Sequence, residues 1–316
     1  MKEVWEHLEG MLSYKESLGY SRKSYEGFLN DFISYLRMYY VGAVTLIKDM
    51  ALDWCVQRET EKESGYRRRA TALREFTKYL YAVGVSEFIL PTNYFPMSRK
   101  YTPYIFSDKE LANIFSASDN EKYDRNSPCR HLIIPVIYRL IYFCGLRPNE
   151  GRELRRCDVD FESGTLFIRK NKSHRERLIP MASDMADMCK YYTKKVITLY
   201  PDTEYFFPSP TGEPYSSKWL TNHFLKLWDD VKTEGNSAKI RVYDLRHRYA
   251  TAVMMKWVNE KADLYAMLPY LSSYMGHTNF ADTAYYIHLL PENLLNSASI
   301  DWSRFSKLIP EVPNEK

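Results

Sequence analysis

The chain has 316 residues, 45% of them hydrophobic and 27% charged, which allows two domains and excludes a disordered or fibrous protein. A formal net charge of +4 permits a nucleic-acid partner without requiring one. The five cysteines are an odd number with no Cys-X-X-Cys pair, which argues against a disulfide framework or a zinc site and favours a reducing cytoplasm.

The sequence carries no recognisable targeting or membrane segment. Its first ten residues, MKEVWEHLEG, are too charged for a signal peptide. The longest apolar stretch, residues 132–145, is interrupted by Pro135 and Arg139 and is too short to span a bilayer. We therefore expect a cytoplasmic protein with no membrane association.

Residues up to about 90 predict an all-helical N-terminal domain. Apolar side chains recur at helical spacing from Tyr25 to Leu36, which indicates a helix with one buried face. Two further helices are predicted, one around residues 44–56 and one from Ser64 to the vicinity of Gly84.

A polar and aromatic stretch with three prolines follows over residues 91–104. Proline lacks a backbone donor and resists helix, so this stretch predicts an interdomain linker. Ser107 and Glu110 then form a capping-box pattern, in which each side chain serves the other's backbone N–H at a helix start. We expect a helical domain over residues 1–90 and a second domain over 105–316.

The second domain is predicted to be mainly helical with a small β-sheet. Two β-prone runs, residues 165–168 and 177–179, flank a polar turn as in a β-hairpin. Helices are predicted elsewhere in this domain, over residues 132–145, 183–199, 217–232, 245–257 and 281–288.

Several segments of this domain hold side chains suited to phosphate chemistry, and none is decisive alone. Arg147 lies between Gly145 and Pro148, which predicts a position at a helix N-terminus, where backbone N–H groups favour an anion. The alternative is a simple ion pair with Glu150, three residues on.

The turn of the hairpin, residues 169–177, is strongly basic. Six of its nine side chains can carry positive charge, and one is acidic. Such a turn can follow a phosphate backbone, or it can be an ordinary solvated hairpin tip, and the segment alone does not decide between them.

Two later segments complete the candidates. Arg246 and His247 occur at a predicted helix start, where mixed charges also suit an ordinary surface helix. His277 follows Met-Gly, and Tyr285 and Tyr286 come soon after. Because the chain has 27 tyrosines, a single tyrosine is rarely a nucleophile without other support.

The order and spacing of these segments resemble the tyrosine recombinases, also called the phage integrase family. The family's catalytic pattern runs Arg, Lys, His-X-X-Arg, His, Tyr. Gly-Leu-Arg147-Pro-Asn-Glu resembles the first arginine box, and Lys172 matches the lysine of the β-hairpin. Tyr-Asp-Leu-Arg246-His resembles the second box, and Met-Gly-His277 resembles the next. Tyr286 follows His277 at the spacing of the family's nucleophile, and the N-terminal helices are similar to the family's core-binding domain.

One position departs from the family pattern. The family usually has histidine where this chain has Tyr243, and that histidine donates a hydrogen bond to the scissile phosphate. A phenol can also donate, but it stays neutral near pH 7. Three alternatives are open: Tyr243 acts more weakly, the adjacent His247 helps, or activity is lost.

The resemblance implies a mechanism and a fold. It implies a two-domain, C-shaped clamp around double-stranded DNA, with no metal and no cofactor. Arg147 and Arg246 would bind the phosphate, Tyr286 would attack it to give a 3′-phosphotyrosyl link, and Lys172 would protonate the leaving 5′ oxygen. His277 would orient or deprotonate Tyr286, and Glu150 and His247 would support these groups.

The resemblance also bears on DNA contacts and assembly. The apolar tail, residues 291–316, either packs on its own domain or docks on a neighbouring subunit to link four protomers in a ring on DNA. The basic residues expected to contact DNA outside the catalytic set are Arg67, Arg68, Arg69, Arg99, Lys100, Lys170, His174 and Arg175.

Four functions remain compatible with the sequence. The first is an integrase or transposase of a mobile element. The others are Xer-type resolution of chromosome or plasmid dimers, DNA relaxation by a type IB topoisomerase, and DNA binding by a regulator that has lost catalysis.

Overall fold

A computed structural model describes residues 3–91, 101–169 and 176–290. The chain divides into two compact units, Met1–Tyr101 and Thr102–Lys316. The described residues are mainly helical with one small antiparallel sheet, so the predicted mainly-α fold class is confirmed. Across these three ranges, no helix is both long and apolar enough to cross a membrane.

The first unit is helical throughout most of its described part. Its elements are a 3-10 turn at Val4–His7, α1 (Leu8–Ser17), a 3-10 turn at Arg22–Ser24, α2 (Glu26–Tyr39), α3 (Lys48–Trp54) and α4 (Glu63–Ala82). The apolar face predicted from Tyr25 to Leu36 is confirmed in α2. Leu29, Phe32 and Leu36 are fully buried in one core with Leu73 and Phe76 of α4.

The second unit contains eight α-helices within its described residues. They are α5 (Asp108–Asp119), α6 (Arg130–Phe143), α7 (Pro148–Arg152), α8 (Ser183–Leu199), α9 (Ser217–Val231), α10 (Tyr243–Asn259), α11 (Leu264–Met275) and α12 (Phe280–Ala284). The α6 helix is buried along most of its length and packs against α5, α8 and α10. The capping box predicted at the start of α5 is confirmed, since Ser107 Oγ accepts from the Glu110 backbone and Glu110 accepts from the Ser107 backbone.

Three short strands form one antiparallel sheet in the order β1 (Val159–Asp160), β2 (Thr165–Ile168) and β3 (Arg177–Pro180). Leu166 of β2 lies opposite Ile179 of β3, and both are fully buried. The predicted β-hairpin is therefore confirmed. The first strand was not predicted, because two residues are too few to show an alternating pattern.

The end of the second unit differs from the sequence prediction. The expected helix over residues 281–288 is α-helical only over Phe280–Ala284 and continues as a 3-10 helix over Tyr285–Leu289. Tyr286 and Ile287 are both buried in a second core with residues of α10 and α11. A 3-10 turn of this kind is common at the C-terminal end of an α-helix.

Two glycines with positive φ end helices at the centre of this unit. Gly145 (φ +57°) follows α6, and Gly276 (φ +65°) follows α11. A Cβ atom on Gly145 would lie 2.6 Å from Cδ1 of Tyr249, and one on Gly276 would lie 2.8 Å from Nη1 of Arg177. Glycine is therefore required at both turns, by backbone conformation and by space.

We expect the Gly145→Ala variant to lose more stability than a glycine substitution where only the backbone is strained. The left-handed conformation costs an L-residue about 1–2 kcal/mol, and the clash with the Tyr249 ring adds about 1–3 kcal/mol of overpacking. Gly235→Ala is the matched control, since Gly235 has φ +82° but a Cβ atom added there would have no neighbour within 4 Å. Urea unfolding of both variants measures the difference, and equal losses would show that the Tyr249 ring yields freely.

Candidate active site

Arg147 lies at the N-cap of α7, where Pro148 occupies the first helical position. Its backbone N–H and its Nη1 both donate to Glu150, at 2.8 and 2.7 Å, and its Nη2 donates to the Gly276 carbonyl at 2.8 Å. The ion pair offered by the sequence as an alternative is therefore present. It leaves 22% of the Arg147 side chain exposed, so the group remains accessible to a ligand.

Arg246 is fully buried in the first turn of α10. Its Nη1 donates to the Gly145 carbonyl at 2.7 Å, and its Nη2 donates to the Met275 carbonyl at 2.6 Å. Its Nε is buried and has no hydrogen-bond partner among the described residues. Arg246 thus holds two helix-ending turns and keeps a donor for another acceptor.

His277 is held between Arg246 and Thr283. Its Nε2 lies 3.0 Å from Nη2 of Arg246, and its Nδ1 lies 2.7 Å from Oγ1 of Thr283. A guanidinium can only donate, so Nε2 accepts and the ring proton lies on Nδ1, which donates to Thr283. Burial and the positive charges of Arg246 and Arg147 lower the pKa of His277 to about 3, so the ring is neutral at pH 7.

Tyr286 is 2% exposed on the terminal 3-10 helix. Burial raises its pKa to about 12, although the charges of Arg246 and Arg147 act in the opposite direction. Its ring stacks on His277 with 5.9 Å between centroids. Tyr285, the residue before it, is only partly buried. The structure therefore brings Tyr286 to both arginines.

Tyr243 and His247 lie one turn apart on α10, with their ring centroids 5.0 Å apart. The His247 ring also meets the Tyr286 ring edge-on at 5.5 Å. Burial lowers the pKa of Arg147, but its contacts with Glu150 and with the Tyr243 hydroxyl raise it overall. Tyr243 therefore interacts with Arg147.

Arg177, on β3, is a member of the site that the sequence did not identify. Its Nη1 and Nη2 donate to the two carboxylate oxygens of Glu150, at 3.0 and 2.7 Å, and its Nε donates to the Tyr274 carbonyl at 2.8 Å. Although burial raises the pKa of Glu150, the hydrogen bonds from Arg177 and its neighbours lower it to about 2. No local pattern links two residues so far apart in the chain, so sequence inspection had no signal for this pair.

The predicted DNA contacts in the first unit differ in placement. Arg67 pairs with Glu63 at 2.9 Å, and Arg68 is exposed beside the Phe28 ring. Arg69 is only 2% exposed, and its guanidinium is bound to Glu61 and to the carbonyls of Trp54 and Val56. This is a correction for Arg69: its donors stabilise the core of the unit and do not reach a DNA surface.

Several predicted residues lie outside the described part of the chain. They are Arg99, Lys100, Lys170, Lys172, His174, Arg175 and the tail, residues 291–316. Within the described ranges, no group of three or more His, Cys, Asp or Glu side chains is arranged to hold a metal. The site as described consists of guanidinium groups around the Glu150 carboxylate, neutral imidazoles and phenols, a set suited to stabilising charge on a phosphate.

Comparison with known proteins gives consistent results. The model of the phage integrase family matches residues 105–293. A putative integrase/recombinase, y4rE of Sinorhizobium fredii, is 32% identical over 290 residues, covering 89% of this chain and 90% of that protein. XerH recombinase in a post-cleavage complex with its difH substrate is similar in fold (TM-score 0.65, 19% identity, 95% and 85% covered). So is the Tn1549 transposon integrase in complex with transposon end DNA (TM-score 0.64, 14% identity, 96% and 100% covered).

We expect the Arg177→Gln variant to be destabilised by about 3–5 kcal/mol at pH 7, because it leaves the Glu150 carboxylate buried without its main partner. In the original chain the pKa of Glu150 is about 2 in the folded state, below the ordinary 4.5. Its contribution to stability is therefore complete above pH 4.5 and is lost as the pH falls towards 2.

The difference in unfolding free energy between the two proteins should accordingly shrink between about pH 5 and pH 2. Unfolding in urea at several pH values measures it. Arg155→Gln is the matched control, because Arg155 pairs with an exposed partner, Glu204, and should lose about 0–1 kcal/mol at every pH. A pH-independent difference for Arg177→Gln would contradict the assigned charge of Glu150.

Proposed function

The chain belongs to the phage integrase family of tyrosine recombinases, enzymes that cut and rejoin DNA, and we propose that its reaction passes through a 3′-phosphotyrosyl intermediate on Tyr286. The observation that carries this proposal is the position of the Tyr286 phenol beside Arg246, with the charge of Arg147 also acting on it. A nucleophile and two phosphate-binding cations occupy one small buried site.

In the proposed reaction, Arg147 and Arg246 hold the non-bridging oxygens of the scissile phosphate and stabilise the charge that develops during attack. The donor on Arg246 Nε that has no partner in the described residues is available for one such oxygen. Tyr243 donates a further hydrogen bond, and Lys172 protonates the leaving 5′ oxygen. His277 orients the site through its bond to Arg246.

The burial of the site bears on how DNA enters it. Tyr286 is 2% exposed and Arg246 fully buried, so a phosphate cannot reach both in the DNA-free arrangement. We infer that DNA binding displaces the terminal 3-10 helix enough to expose the phenol. A 3-10 helix has poorer hydrogen-bond geometry than an α-helix, which lowers the free-energy cost of moving it.

We propose that contacts to the DNA backbone come from basic side chains in both units of the chain. We retain the proposed contacts of Arg67 and Arg68, and we leave out Arg69 because its guanidinium is committed within the core. The remaining proposed contacts are Arg99, Lys100, Lys170, His174 and Arg175.

For the biological role, we propose an integrase or transposase of a mobile element. The 32% identity to a putative integrase/recombinase and the similarity of fold to a transposon integrase support it. The similarity of fold to XerH leaves resolution of chromosome or plasmid dimers as a second candidate role. Relaxation of supercoiled plasmid by the protein, without strand exchange, would instead favour the topoisomerase alternative.

We expect the Tyr286→Phe variant to bind DNA with unchanged affinity but to form no covalent adduct, because phenylalanine keeps the packing and removes the nucleophilic oxygen. The probe is a nicked duplex built on a site that the original protein selects from random-sequence DNA. Denaturing gel electrophoresis detects the adduct. Tyr285→Phe is the control and should retain it. Adduct formation by Tyr286→Phe would show that the nucleophile is misassigned.

We further propose that the chain acts as a tetramer on DNA, held together by the tail, residues 291–316. A chain that ends at Asp301 should then bind a single site and form the covalent adduct, yet fail to exchange strands between two sites. Gel shifts and a two-site recombination assay measure these steps separately. Unchanged recombination by the shortened chain would contradict docking by the tail.

A further inference from the structure

The imidazole of His247 lies beside the proposed nucleophile, at a position outside the family's catalytic pattern. Tyr286 carries its proton at neutral pH, as a phenol with the ordinary pKa of 10.0 already does, and burial raises its pKa further, to about 12. The proton must leave as the bond from oxygen to phosphorus forms, so a neighbouring group has to accept it. Among the described residues, two histidine rings contact Tyr286, those of His277 and His247.

His277 is poorly placed to accept this proton. The lone pair of its Nε2 receives a hydrogen bond from Arg246, and its Nδ1–H is donated to Thr283. Accepting a proton on Nε2 would break the bond to Arg246 and leave an N–H group facing the guanidinium nitrogen 3.0 Å away. His277 is therefore better suited to fixing the orientation of Arg246.

One ring nitrogen of His247 is available to accept a proton. Its Nδ1 is buried and has no hydrogen-bond partner among the described residues, a state that needs an explanation because it costs free energy. Burial and the charges of Arg246 and Arg241 lower the pKa of His247 to about 4, so the ring is neutral at pH 7. A neutral imidazole keeps one lone pair with which to take a proton.

The location of His247 also fits the departure at Tyr243. The two residues are four apart on α10 and lie on the same face, so His247 places an imidazole one turn beyond the position where the family has histidine. In this chain the His247 ring contacts the rings of both Tyr243 and Tyr286.

We propose that His247 accepts the proton of Tyr286, directly or through one water, during attack on the scissile phosphate. This inference rests on the proposed role of Tyr286. As the O–H bond of Tyr286 breaks, its proton moves to the lone pair of the His247 ring. The phenolic oxygen bonds to phosphorus, and the bond to the 5′ oxygen breaks with its electron pair, which takes a proton from Lys172.

The surroundings of His247 favour return of the proton during rejoining. The charged and titratable groups that face the ring are Arg246 and Tyr243 on its own helix, Arg241 before that helix, Tyr286 on the terminal 3-10 helix, and His277. Arg246 and Arg241 repel the imidazolium that forms. His247 therefore holds the proton only until the 5′ oxygen attacks the phosphotyrosyl bond and Tyr286 leaves.

The test is the single-turnover rate of adduct formation, measured with saturating protein on two nicked duplexes built on the selected site. One has a normal phosphate, and the other has sulfur in place of the bridging 5′ oxygen. A thiolate leaves without a proton donor, so the sulfur duplex removes the need for Lys172 and reports on activation of the nucleophile alone.

We expect His247→Asn to slow adduct formation about a hundredfold or more on both duplexes, the usual contribution of a general base. Lys172→Ala should be slow on the normal duplex only. Tyr243→His combined with His247→Asn should regain much of the rate, because it returns an imidazole to the same face of the helix. His131→Asn is the matched control, since Nδ1 of His131 is also buried without a partner in the described residues, away from the site.

Two results overturn the inference while leaving the proposed function intact. The first is a His247→Asn protein that forms the adduct at the original rate, with Tyr286 still required. The second is a slow His247→Asn protein whose rate is restored on the sulfur duplex, since His247 would then serve the leaving group. If the original protein forms no adduct on either duplex, the proposed function itself fails.

Discussion

One buried carboxylate, that of Glu150, holds the positively charged side chains of this site together. It accepts hydrogen bonds from Arg147 and Arg177 and lies 3.9 Å from Nη1 of Arg246. Arginine does not lose its proton in proteins, so three positive charges and one negative charge leave a net charge of +2. In the proposed reaction, a phosphodiester with one negative charge gains a second as the phenolic oxygen attacks. These groups would therefore attract the phosphate most strongly in the transition state, as differential stabilisation requires.

The geometry of the arginines follows from how two helices end. The last carbonyls of an α-helix have no partner within the helix. Here the carbonyls of Gly145 and Met275 accept from Arg246, and that of Gly276 accepts from Arg147. The carbonyl groups at the ends of α6 and α11 thus accept hydrogen bonds from the same guanidinium groups that the proposed chemistry uses. The glycines make this possible, because their left-handed conformation turns the chain at the point of contact.

The sequence predicted what depends on neighbouring residues and missed what depends on distant ones. The apolar face of α2, the capping box at Ser107 and the pairing of β2 with β3 each leave a local pattern of spacing or residue type. The ion pair of Arg177 with Glu150, and the burial of Arg69, depend on contacts that no local pattern records.

The same contrast holds at the site itself. The family resemblance named candidate residues in order along the chain, and the described ones among them lie close together. It could not assign their contacts: that His277 is bound at both nitrogens, or that His247 contacts Tyr286, follows only from packing. Because Lys172 lies outside the described residues, its part in the site stays a prediction. The change from α-helix to 3-10 helix at Tyr285 likewise leaves no pattern in the local sequence.

The burial of Tyr286 has a consequence for selectivity among phosphate compounds. Nucleotides and RNA carry phosphoesters that an exposed, activated phenolate could attack, and a cell holds them in large excess over any specific DNA site. In the free protein, Tyr286 is covered and protonated, and the nearest cations are bound to main-chain carbonyls. If DNA binding displaces the 3-10 helix as proposed, a small phosphate compound would make too few contacts to offset the free energy of that displacement, whereas a long duplex would make many. On this proposal, reactivity is coupled to the size of the bound polymer.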